Sequence, residues 1–103
     1  MSGVRAFMWP SGWLEIGHVG PHWWKLPFSA VSKLRYGLSL PAPSSPESLT
    51  LLEEPGNTLV LWRWPNGFME LHGMADWQSF KPLRLDCTDV NTIKLALGQV
   101  VES

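Results

Sequence analysis

The sequence predicts a small α+β domain assembled from two similar halves. Three observations lead there. A phrase occurs twice, as "WPSGWLEIGH" from Trp9 to His18 and as "WPNGFMELHG" from Trp64 to Gly73; apolar and polar residues alternate on both sides of each copy; and a short helical pattern lies downstream of each. The match is longer than one turn. Residues 4–16 fall on residues 59–71 at a spacing of 55, pairing Val4 with Leu59, Trp9 with Trp64, Gly12 with Gly67 and Glu15 with Glu70. One residue later the spacing becomes 54, which sets His18 on His72, His22 on Asp76 and Trp23 on Trp77 and implies an extra residue near Gly17.

Taken in order, each copy reads first as a hairpin. Proline presets φ for the second position of a type I turn, Ser11 or Asn66 suits the third, and glycine accepts the left-handed conformation that closes a three-residue loop. Trp9 then faces Trp13, and Trp64 faces Phe68. A Trp-containing irregular stretch follows, and after it a helix. In the first half Ser29 is the expected cap of "AVSKLRY", with Val31 and Leu34 on one face and Gly37 as the stop. In the second half Thr88 or Asp89 is the expected cap of "VNTIKLAL", with Val90, Ile93 and Leu97 on one face and Gly98 as the stop. Short strands, "LSL" and "QVV", are expected after them.

Between the halves, "PAPSSPES" at residues 41–48 is too rich in proline for regular structure and reads as a connector. Leu49 to Glu54 reads as a strand turned at Pro55 and Gly56 into Thr58 to Trp64. The expected architecture is one domain over residues 1–103, with ββαβ-like pseudo-symmetric halves at 4–40 and 58–101, antiparallel hairpins and two short helices.

Composition narrows the function. A formal net charge of -1 supplies no basic footprint for nucleic acid or acidic lipid, so neither nucleic acid nor a membrane is an expected partner. The single cysteine, Cys87, excludes an intrachain disulfide and any metal site built on several thiolates, and it fits a reducing, cytoplasmic setting. In the apolar run "LRLDC" it reads as inert packing. The opening "MSGVRAFMWPSGW" is too short and too interrupted for a signal peptide or a span, so a soluble protein is expected. Lys25, Lys33 and Arg35 read as a solvated basic cluster around the first helix.

Strand alternation sorts each hairpin into two faces. One is aliphatic: Val4, Ala6, Met8, Leu14 and Ile16, matched by Leu59, Leu61, Met69 and Leu71, with Arg63 as the exception. The other is aromatic and acidic: Phe7, Trp9, Trp13 and Glu15, matched by Trp62, Trp64, Phe68, Glu70 and His72. A bulge at Gly17 is expected to return His18 to this second face.

Three uses of that face compete. It is either packing buried by the helices or by the other half; or a contact surface for a cationic or flat small ligand, a protein partner or its own copy in a homodimer; or a metal or carboxylate site. Rings with a nearby carboxylate suit the second use. For the third, Glu15, Glu70 and His72 are the catalytic candidates, and His18, His22, His72 and Asp76 are the candidate metal ligands. The spacing matches no established metal signature, and no cofactor is expected. "HWWKL" is similar to the tryptophan pair of SH3 domains and "GWLEI" to the opening of a WW domain, but the remaining motifs of both families are absent. The sequence favours a non-catalytic binding protein, with a small enzyme centred on Glu70, His72 and Asp76, together with His18 and His22, as the alternative.

Overall fold

A computed structural model describes residues 3–17, 23–75, 78–79 and 82–99. Three strands come first: β1 (Arg5–Met8), β2 (Leu14–Gly17) and β3 (Trp23–Leu26), followed by α1 (Phe28–Ser39). After the connector, which ends two residues earlier than expected because Glu47 and Ser48 already pair with Arg63 and Trp62, come β4 (Glu47–Glu54), β5 (Asn57–Arg63), β6 (Met69–Ala75), β7 (Gln78–Ser79), β8 (Leu83–Leu85) and α2 (Cys87–Ala96). β1, β2 and β3 form one antiparallel sheet in that order. The second runs β4, β5, β6, and the far edge of β6 pairs with both β7 and β8. The mixed α+β class is as expected. Among the described residues no helix is long and apolar enough to cross a membrane.

Both hairpins close as their sequences require. The Trp9 amide donates to the Trp13 carbonyl at 2.8 Å and the Gly12 amide to the Trp9 carbonyl at 2.9 Å; the same pair recurs from Trp64 to Phe68 and from Gly67 to Trp64. Gly12 and Gly67 sit at φ 97° and 90°, where a side chain is strained. Met8 lies opposite Leu14, and Arg63 opposite Met69, so the two registers coincide. The bulge expected at Gly17 is not present. Gly17 pairs in regular register with Arg5 on one side and Trp23 on the other; His18 lies outside the described residues, as do His22 and Asp76. A register shift occurs instead between Thr50 and Leu52, and it lets the consecutive Leu51 and Leu52 both enter the core.

The ββαβ order is replaced by another. In each half a third strand precedes the helix: β3 pairs with β2 before α1, and β8 pairs with β6 before α2. "LSL" does not form a strand: Leu38, buried in the core, and Ser39 end α1, and Leu40 is its C-cap. The strand after α1 is β4, which belongs to the second sheet. Of the "QVV" strand, only Gln99 is described, and it lies outside any strand.

The helix caps also differ from expectation. α1 starts after Pro27, which the fixed φ of proline favours, with no side-chain cap; Ser29 is inside the helix. α2 is capped by Asp86, whose side chain accepts the Asp89 amide at 2.8 Å while Asp89 accepts the Asp86 amide at 3.1 Å, a reciprocal capping box. Gly98 follows the end of α2 as expected. Gly37, expected to stop α1, is buried within it. A Cβ there would stand 2.8 Å from Leu49 Cδ2 and 3.1 Å from Leu61 Cδ2, so the glycine is used to bring the helix close to the second sheet.

The aliphatic faces meet in one core. Val4, Leu14, Ile16, Leu59, Leu61, Met69 and Leu71 are buried, with Ala6 and Met8 packed against them. The helices supply the cover crosswise: α1 packs chiefly on β4, and α2 chiefly on β1. Asp89 of α2 accepts the Val4 amide at 3.0 Å, and Arg35 of α1, expected to be solvated, donates to the Leu97 carbonyl. Trp24 of β3 lies over Gly73 of β6, where a Cβ would come within 2.6 Å of its ring.

Two stability measurements check this packing. Gly73→Ala should lower the free energy of unfolding by about 1 to 3 kcal/mol, since a rigid indole and Leu59 leave no room for a methyl group. Asp89→Ala should cost about 2 to 4 kcal/mol, because the Val4 and Asp86 amides both lose their acceptor, whereas Thr88→Ala should stay within about 0.5 kcal/mol. Urea denaturation of the purified variants reads both.

Candidate functional site

The aromatic face is not covered by the helices. Phe7, Trp9, Trp13 and Phe68 are exposed, Trp9 and Trp13 each to 45%, while Trp62, Trp64, Glu15, Glu70 and His72 are half-buried. Strand alternation accounts for this directly: every second residue of β1, β2, β5 and β6 points away from the core.

In the first sheet, Phe7 and Trp9 meet edge to face with ring centroids 4.9 Å apart. The Trp9 indole Nε1 donates to Glu15 Oε1 at 2.7 Å, which fixes both the ring and the carboxylate. Glu15 lies opposite Phe7 on one side and opposite Lys25 on the other. Trp9, Ser11, Trp13, Glu15 and Lys25 together line a shallow depression of about 420 Å³. The Gly12 turn rests against Phe28, the exposed first residue of α1.

The second sheet builds its version differently. Trp62 and Trp64 are 6.1 Å apart and tilted by 43°. Glu70 lies opposite Arg84, as Glu15 lies opposite Lys25. Its carboxylate receives His72 Nε2 at 2.8 Å on one oxygen and Arg84 Nε at 3.2 Å on the other. Glu70 and His72 do come together, as their spacing of two in one strand requires. Among the described residues no group of three or more His, Cys, Asp or Glu side chains converges.

Three features escaped the sequence reading. Lys25 and Arg84 oppose the two glutamates; the signal was a basic residue flanked by apolar ones in "WWKL" and "LRL". Phe28 joins the first turn through α1. Cys87, expected as inert strand packing, is instead the exposed first residue of α2, with its Sγ 3.8 Å from the Asn66 carbonyl oxygen, because β8 ends at Leu85 and Asp86 caps the helix.

No family model, no curated protein and no solved structure matches this chain. Its function has to be read from its own geometry.

The position of Cys87 is open to a direct check. The native protein should react with a thiol reagent to one equivalent without denaturant, at a rate within about tenfold of the unfolded chain; a thiol that reacts only after unfolding would return Cys87 to the core.

Proposed function

We propose that this chain is a non-catalytic binding protein whose first hairpin presents Trp9 and Trp13 to a flat, uncharged ring or a sugar. The observation that carries this is the exposed Trp9 and Trp13 pair flanking a depression that also holds Ser11, Glu15 and Lys25. Half-exposed indoles offer stacking area at small cost in side-chain entropy, and the polar groups beside them fix orientation. The charge balance selects the ligand. A bare cation would be drawn to Glu15 but repelled by Lys25, whereas a neutral ring bearing donors and acceptors meets both groups favourably.

The second hairpin supports binding less directly, since Glu70 is already engaged by His72 and Arg84. That engagement also weighs against the enzyme alternative: a carboxylate held by two partners is poorly placed as a general base. The twofold occurrence of strand, WP-x-G turn, strand, strand and helix is best understood as an internal duplication, with the repeated unit redrawn as βββα. Self-association through Phe7, Trp13 and Phe28 is the competing use of the same surface.

Tryptophan fluorescence titrations with nucleobases, sugars and amines separate these uses. We expect a saturable change with a nucleobase or a sugar, a weaker one with amines, and at least about a tenfold loss of affinity, or 1.4 kcal/mol, in Trp13→Ala. An unaltered spectrum across the panel, together with a mass that rises with protein concentration, would move the surface to self-association.

A further inference from the structure

A second, larger cavity lies apart from the Trp9 and Trp13 depression. It has a volume of about 590 Å³, within the range of small-molecule sites, and its walls are the end of α1 (38–40), the connector (41–43), the second hairpin (63–69) and α2 (87–94). Its polar lining is one-sided. Arg63 and Lys94 face it with Asn91, and among the described residues no aspartate or glutamate lines it.

Arg63 is the informative residue. It interrupts an aliphatic core face, it occupies the position that Met8 holds in the first copy, and it is 2% exposed. Two of its nitrogens are engaged: Nη1 by the Glu47 carboxylate, and Nη2 by the carbonyl oxygens of Leu40 at 3.0 Å and Pro41 at 2.6 Å. These bonds hold the connector in place as a wall of the cavity. The third nitrogen, Nε, is buried and has no partner among the described residues. The guanidinium thus carries its positive charge in the wall of the cavity, offset in part by Glu47.

We propose that this cavity binds a small organic monoanion with a flat apolar body, such as an aromatic carboxylate or sulfonate. Lys94 and Asn91 receive the anionic head beside the Arg63 guanidinium, and Trp64, Met69 and Val90 receive the ring. The charge state follows from the lining. A cation would be repelled by Lys94 and Arg63, a neutral hydrocarbon would leave the Lys94 charge uncompensated, and Glu47 already offsets part of the Arg63 charge, so a single negative charge completes the site. The site shares Trp64 with the aromatic face of the second hairpin but none of the residues that line the Trp9 and Trp13 depression.

Cys87, the one cysteine of the chain, is exposed and lines this cavity, so its alkylation by the neutral reagent iodoacetamide reports occupancy. With naphthalene-2-sulfonate at about ten times its dissociation constant, alkylation followed by intact mass should slow by about tenfold, and saturably. The cationic naphthalen-2-ylmethylamine should give no protection. Lys94→Glu should abolish the effect of the sulfonate and Lys94→Gln should weaken it, while Lys33→Glu on the exposed side of α1 and Trp13→Ala on the hairpin should retain it. Circular dichroism verifies that each variant is folded, and if Lys94→Glu is not, the Lys94→Gln comparison decides. Equal protection by both naphthalenes, no protection up to the solubility limit, or full protection retained in the folded Lys94 variants would overturn the proposal.

Discussion

Everything in this molecule depends on how the aliphatic faces of two hairpins are kept from water. A two-stranded hairpin is marginal by itself and needs a third strand and a packing partner. Here each hairpin gains its third strand from the residues just downstream, β3 or β8, but its helix from elsewhere. α2 lies on β1, and α1 lies on β4 beside β5. The Val4 to Asp89 hydrogen bond and the Arg35 to Leu97 bond tie the exchange together, and Trp24 closes the seam over Gly73. Neither half has a complete core alone.

With both helices committed to the inner faces, the outer faces remain wet. That leaves large aromatic rings at the surface, where isolated side chains would be free to turn. They are held instead by local partners: Trp9 by Phe7 and Glu15, Trp62 by Trp64, and Glu70 by His72 and Arg84. The two copies thereby diverge from one plan. The first sets a carboxylate beside an indole N–H, and the second surrounds it with nitrogen bases. Opposite a glutamate, each copy places a basic residue on its third strand, and this cross-strand pairing keeps an acidic position tolerable next to a sheet. Arg84 is 87% exposed, so its pair with Glu70 is a matter of orientation more than of stability.

The parts that were legible in the sequence are those whose causes are local. The turns follow from proline and glycine at fixed offsets, and the division into aliphatic and aromatic faces follows from period-two alternation; both appear in the structure as read. The β4–β5 hairpin was equally plain, because Pro55 and Gly56 lie between two apolar runs. What was not legible depends on distant contacts. Gly37 looks like a stop because glycine is a poor helix former, yet the close approach to Leu49 and Leu61 outweighs propensity there. β3 was hidden because adjacent tryptophans obscure its alternation, although Leu26 is buried and Lys25 exposed as a strand demands. Once β3 was missed, so was the opposition of Lys25 to Glu15. The cavity beside Arg63 was invisible for a related reason: the residue stood out as an exception on an apolar face, but its partners lie at the end of α1 (Leu40), in the connector (Pro41) and at the start of β4 (Glu47).

The crosswise helices also set an order of events during synthesis. The first hairpin leaves the ribosome early, while α2, whose Asp89 closes onto Val4, follows 85 residues later. At about 5 to 20 residues per second that interval lasts roughly 4 to 17 s. Throughout it, β1 and Val4 have no α2 beside them, and the free edge of β1 is open to pairing with another chain. The nascent protein is therefore most exposed to misassembly before its second half arrives, and its folding is governed by contacts between segments far apart in the chain, which form slowly. A chaperone that shields a short aliphatic hairpin for those seconds would act on the one intermediate this topology makes unavoidable.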